Sequence, residues 1–220
     1  MPNIKIQDLV ATINGTSRYG AKYDTVHVET FISTDSPIPP EMSWYVPNGT
    51  SIPKEILPLF NLTHVDMYPQ TEADILKGTE DILQECKEES KTMETISDAS
   101  KVILRSIMTK GSPKLIEGTQ NYYSISYDYK LYPNDDNSFE FKVELPFAGL
   151  TMINGTSLVQ TTITCPINSK VDSVKSFGLD LKTNTEVTQE TVAQTPTKRP
   201  IVTFQYKQDP IFVINYSYSA

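Results

Sequence analysis

A chain of 220 residues with 38% hydrophobic and 21% charged residues has the composition of a folded globular protein with a sizeable core. Its net charge of −8 opposes any role built on phosphate neutralisation, which needs a basic stripe, and the longest basic run is Lys198-Arg199. The same charge disfavours an anionic membrane surface, so neither nucleic acid nor membrane is expected as a partner.

The start, MPNIKIQDLVATING, carries Asp8 and lacks the apolar stretch of a signal peptide, and no apolar run reaches the roughly 20 residues of a membrane span. Synthesis in the cytoplasm without a signal peptide is the expectation. Cys86 and Cys165 stand far apart without metal-type spacing and read as free thiols.

Residues 1–69 read as a β-rich N-terminal segment. A strand near residues 4–13 is followed by another near residues 25–33, in which Val26, Val28 and Ile32 share a face. Pro37, Pro39, Pro40, Pro47, Pro53 and Pro58 then forbid a central strand or long helix. An ordered loop anchored by Trp44 and Tyr45 is expected here, with a short helix over 54–60.

The stretch NGTS occurs at Asn14–Ser17, Asn48–Ser51 and Asn154–Ser157. Without a secretory signal these sites, with Asn61 and Asn215, should not be glycosylated. Asn-Gly accepts positive φ and suits a type I′ turn between antiparallel strands. The first and third copies are therefore predicted as hairpins, and the middle copy as part of the proline-rich loop.

Residues 70–111 change character and are predicted as a helical linker or insertion, one long helix or a helix pair, with Thr71 or a neighbour as N-cap. Alternating steps of three and four select Ile75, Thr79, Ile82, Cys86, Glu89, Met93, Ile96, Ser100, Ile103 and Ile107, a seam broken in its middle. Between Glu72 and Glu94 lie eight acidic residues and three lysines, which read as a solvated face or as the flank of a seam meeting a partner chain.

Residues 112–220 alternate with a period of two and are predicted as an antiparallel β-sandwich or jelly-roll-like part. Tyr123, Ile125, Tyr127, Tyr129 and Leu131 oppose Ser124, Ser126, Asp128 and Lys130. Phe139, Phe141, Val143, Leu145 and Phe147 oppose Glu140, Lys142 and Glu144. A strand or bulge is expected near residues 171–181. The final strand sets Phe212, Ile214, Tyr216 and Tyr218 on one face, which must be paired within its own sheet or added to a neighbour's edge. The fold class is thus mainly β with a helical insertion (α+β).

Little points to catalysis. His27 lies in a strand and reads as a surface histidine, and His64, with Asp66 nearby, lacks a G-x-S-x-G elbow. Asp135 and Asp136 offer hard oxygens to calcium but lack the D-x-D-x-D-G loop. No cofactor is expected. Ile75, Ile82, Met93, Ile96, Ile103 and Ile107 on the helical seam, and Phe212, Ile214, Tyr216 and Tyr218 on the last strand, form the candidate interaction surface.

With short strands rich in Thr, Asn and Tyr beside a polar helical segment, the chain resembles in general style the small structural proteins of tailed bacteriophage particles. The resemblance implies a non-enzymatic virion component (head decoration, fibre, neck or tail protein) acting through other protein subunits, as a homo-oligomer or larger assembly. The alternatives are a carbohydrate- or peptide-binding β-sandwich using Tyr123, Tyr127 and Tyr129, and a hydrolase using paired carboxylates.

Overall fold

The computed structural model describes residues 2–52, 57, 67–77, 101–102, 104–153, 155–187 and 191–218, which are mainly strands arranged in several sheets. In chain order the strands are β1 (Asn3–Asn14), β2 (Asp24–Thr34), β3 (Trp44–Pro47), β4 (Met108–Gly111), β5 (Lys114–Leu115), β6 (Tyr122–Leu131), β7 (Phe139–Glu144) and β8 (Thr151–Met152). They continue as β9 (Leu158–Thr164), β10 (Ser169–Val171), β11 (Phe177–Asp180), β12 (Thr185–Val187), β13 (Thr191–Gln194), β14 (Pro200–Tyr206) and β15 (Pro210–Tyr218).

An eight-stranded sheet has the order β13-β14-β9-β1-β2-β6-β5, with β8 also beside β1. The first two strands therefore lie at its centre, between strands from the other end of the chain. Whether the two β-rich segments share a sheet was open from the sequence; they do. The strands of residues 112–220 pair antiparallel among themselves, but β8 and β9 run parallel to β1, so the sheet is mixed.

A five-stranded sheet is built around β15, with β7 on one side and β10 and β11 in succession on the other. The inner faces of both sheets contribute to one core. Phe204 of the larger sheet stacks on Phe212 of the smaller, ring centroids 5.1 Å apart. The alternating residues predicted for β6 and β7 enter this core: Tyr123, Ile125, Tyr127, Tyr129, Phe139, Phe141 and Val143 are all buried. Each such side chain contributes about 1.5–3 kcal/mol relative to exposure.

Trp44 and Tyr45 anchor the described part of the proline-rich stretch, as expected, and do so from the short strand β3. Trp44 is fully buried, donates from Nε1 to Ala148 O at 2.7 Å, and begins a strand that pairs with β4. The short helix expected over 54–60 lies outside the described residues apart from Leu57, which is buried.

The described ends of the predicted helical segment meet. Thr71 caps the helix α1 (Glu72–Ile75) by accepting from Asp74 N at 3.1 Å. Lys101 Nζ donates to Lys77 O at 2.6 Å. One uninterrupted helix through both residues would hold them about 36 Å apart, so the single long helix is excluded. The seam between them, residues 78–100, lies outside the described residues. Among the described residues no helix is long and apolar enough to cross a membrane.

The NGTS stretches differ from the hairpin expectation. Gly15 has φ −73, and β1 and β2 are joined through a 3-10 turn at Thr16–Tyr19 rather than a two-residue turn. Glycine is needed there for space: a Cβ on Gly15 would lie 2.5 Å from the Tyr218 hydroxyl. The third copy does not reverse the chain, since β8 and β9 both run parallel to β1. It is an excursion between two strands that follow the same neighbour, with Gly155 at φ 79. The middle copy is a turn, in which Asn48 Oδ1 accepts from the Thr50 hydroxyl at 2.6 Å and Gly49 takes φ 86.

Candidate interaction surface

The outer face of the eight-stranded sheet is set by a single irregularity. Strict alternation along β1 would place Ile4, Ile6, Asp8 and Val10 together, but the register shifts between Ile4 and Ile6. Ile4 points into the core; past the bulge Gln7, Leu9, Ala11 and Ile13 do so instead. Ile6 and Val10 are thereby turned outward, 47% and 37% exposed.

Cross-strand registry extends these positions into rows. Leu158, Ile6, Ser33 and Tyr122 form one. Gln205, Gln160, Asp8, Phe31 and Ser124 form the next. Thr203, Thr162, Val10, Glu29 and Ser126 form a third. Phe31 stacks on Tyr122 across the strands at 6.0 Å. The amide of Gln205 donates to Gln160, whose own amide reaches Asp8 Oδ1 at 3.4 Å. Partial burial raises the Asp8 pKa, and the Gln160 bond offsets part of that rise. The face mixes exposed aliphatic groups with short hydroxyl and amide side chains, and its charges are few.

The candidate residues from the sequence fall elsewhere. Phe212, Ile214 and Tyr216 are fully buried, and β15 is paired on both sides within its own sheet. That face meets the chain's own core, not a neighbour. Tyr218 is half-buried against the same core. Ile75 is buried with Tyr45 and Met108 in a smaller cluster, against which Ile107 packs. There Arg105 lies over the Tyr45 ring at 3.6 Å, and both reach Glu72 Oε1, at 3.1 and 3.0 Å. Ile82, Met93, Ile96 and Ile103 lie outside the described residues, as do Cys86 and His64.

The tyrosines considered as a stacking platform, Tyr123, Tyr127 and Tyr129, are core. His27 is exposed on β2, its Nδ1 2.8 Å from Asp128 Oδ1 on the adjacent strand. Cys165 is buried, and burial pushes its thiol pKa up to about 12 despite the nearby Arg199.

Asp135 and Asp136 line an open groove of about 570 Å3, together with Glu140, Lys175 and Asn215. Asp136 Oδ1 accepts from the Ser138 hydroxyl at 2.5 Å and amide at 3.0 Å, and Oδ2 lies 3.4 Å from Lys175 Nζ. These bonds, the Ser138 hydroxyl first, lower its pKa to about 2. Asn215 spans the floor, donating to Lys175 O at 2.9 Å and reaching Glu140 Oε2 at 3.4 Å. Asp136 is engaged as a turn-former rather than presented as a ligand or proton donor. Among the described residues no group of three or more His, Cys, Asp or Glu side chains is placed to hold a metal ion.

Sequence reasoning missed the outer face because its two exposed aliphatics sit past a bulge. No family model matches this chain, and no curated protein matches it.

Proposed function

We propose that the chain is a non-enzymatic structural protein working through protein–protein contact, as a component of a bacteriophage-type virion such as a head-decoration, fibre, neck or tail protein. It is made in the cytoplasm and taken into a homo-oligomer or larger assembly. In this reading the two sheets are the layers of a β-sandwich, jelly-roll-like in style, with a helical insertion between β3 and β4. The observation that carries it is the outer face of the eight-stranded sheet. Ile6 and Val10 stand exposed among Thr, Ser and Gln rows, a composition suited to burial against another subunit.

The test is light scattering during size-exclusion chromatography over a wide concentration range, alone and with structural proteins of the source. The wild type should associate. Ile6→Lys with Val10→Lys should remove association while changing the stability by no more than about 1 kcal/mol, because both side chains are partly exposed and Glu29 stands opposite Val10. A monomer at every concentration, with no partner from its source, would count against the proposal.

A second reading, a carbohydrate- or peptide-binding module, is favoured by the groove between Asp136, Glu140, Lys175 and Asn215, whose amide, ammonium and carboxylate groups suit a polar ligand. Glycan-array binding lost on Lys175→Ala would advance it over the first.

A further inference from the structure

Beside the turn from β1 to β2 lies a separate cavity of about 160 Å3, lined by Ile13, Gly15, Arg18, Tyr19, Ile167 and Arg199 among others. Two of these are guanidinium groups, each held by backbone carbonyls. Arg199 donates from Nε to Cys165 O at 2.9 Å and from Nη2 to Ile13 O at 2.7 Å. Arg18 donates from Nη1 to Ile167 O at 2.8 Å, with its guanidinium carbon 5.3 Å from the centre of the Tyr218 ring. Among the described residues neither arginine is within ion-pair distance of a carboxylate.

Carbonyl oxygens orient a guanidinium without neutralising it. Each arginine has five N–H donors, of which the backbone bonds engage one on Arg18 and two on Arg199. Two such cations at one cavity make a local positive site in a chain of net charge −8. The apolar part of the remaining wall is the exposed Ile167 and the Tyr19 ring, with the buried Ile13 and Pro166 behind them, and Asn14 and Thr16 complete it. The volume has room for about five waters or one short carboxylate-bearing side chain. A free phosphate would leave the apolar walls unfilled, and a polyphosphate chain would be repelled by the net charge. A carboxylate on an aliphatic stem fits both halves.

We infer that this cavity binds the carboxylate of an acidic side chain on a partner polypeptide, the Arg18 and Arg199 guanidiniums taking its oxygens while Ile167 and the Tyr19 ring pack its stem. That the partner is a polypeptide rests on the contact reading above; carboxylate recognition rests on the cavity alone.

The experiment follows the arginine Nε–Hε resonances of the full chain by 1H–15N NMR. The probes are N-acetylglutamate N-methylamide, its glutamine counterpart, and sulfate. Arg18 and Arg199 should shift saturably with the glutamate compound, at least tenfold more tightly than with either other probe. Arg199→Gln removes two bonds to the backbone and can disturb the fold, so Ile167→Asp serves as the second variant. It tethers a competing carboxylate at the rim, leaves both arginines in place, and should weaken binding at least tenfold.

Absent shifts, equal binding of sulfate or the glutamine compound, or full binding by Ile167→Asp would each overturn the inference. Association seen by light scattering without glutamate binding would sink this inference and leave the contact function standing. Glutamate binding by a chain that never associates would do the reverse.

Discussion

Asp24 is fully buried at the start of β2 and accepts four hydrogen bonds. The Ser17 amide and hydroxyl reach Oδ1 at 3.0 and 2.6 Å; the Tyr216 and Tyr218 hydroxyls reach Oδ2 at 2.7 and 2.6 Å. This carboxyl joins the β1–β2 turn to the last strand of the other sheet, so its removal should be felt by the whole fold. Asp24→Ala strands the buried Tyr216 hydroxyl, at about 1–3 kcal/mol, and leaves a small void. Tyr218 and Ser17 are half-buried, so water can replace part of their loss. The expected cost is about 2–4 kcal/mol. Tyr216→Phe removes one bond to a charged group and should cost about 1.5–3 kcal/mol. Because both changes break the same bond, the double variant should cost less than their sum by about 1–2 kcal/mol. Urea unfolding of the four proteins measures this, with an unchanged denaturant slope as the check that the unfolded state is unaltered. A cost below about 0.5 kcal/mol for Asp24→Ala, or additivity of the pair, would refute the reasoning.

Gly178→Ala should cost about 1–3 kcal/mol and lower the urea midpoint, since its Cβ would lie 2.9 Å from Val187 Cβ and 3.0 Å from two Phe212 ring carbons. In a Cys86→Ser background, Cys165 should resist a thiol reagent at pH 8 in the native protein and react fully in urea, because burial holds its pKa near 12. Burial raises the phenol pKa of Tyr127, Tyr129, Tyr216 and Tyr218, with the Asp24 carboxyl adding to the last two. The folded values exceed the unfolded value of about 10, so this stabilisation is complete below pH 10 and is lost as pH rises above it. The urea midpoint should accordingly fall above pH 10, and tyrosinate absorbance just above pH 10 should be lower for the native protein than for the same protein unfolded in urea.

What was legible in the sequence was the inner face. Alternation in YYSISYDYKL and FEFKVE places one set of side chains in the core and the other outside, and the structure keeps both sets. Thr71 as a helix cap was also legible, because its side chain acts on an amide three residues away. The reading failed where partners are distant in sequence. Nothing local to β1 announces a parallel neighbour some 150 residues later, and because β8 and β9 both run parallel to it they are not the two arms of the expected hairpin. Nor does local pattern reveal the shift between Ile4 and Ile6. There Ser157 Oγ, from the residue just before β9, donates to Ile4 O at 2.6 Å and accepts from Ile153 N at 2.7 Å, so one hydroxyl ties the irregularity to the connection between β8 and β9.

The same shift separates the buried side of β1 from its exposed side. On the inner side of β1, Leu9, Ala11 and Ile13 are held by the core, and Gln7 Oε1 accepts from Phe147 N at 3.2 Å. Substitution there is resisted by packing and by the cost of unpaired polar groups. On the outer side Ile6 and Val10 are 47% and 37% exposed, so packing constrains them less than it does the core side. A strand whose alternate residues obey such different constraints can change its contacts without changing its core. The bulge that turns Ile6 outward loosens the local ladder, and what it yields is surface rather than stability. That exchange is the physical reason to look for a partner on this face before looking for a reaction in any groove.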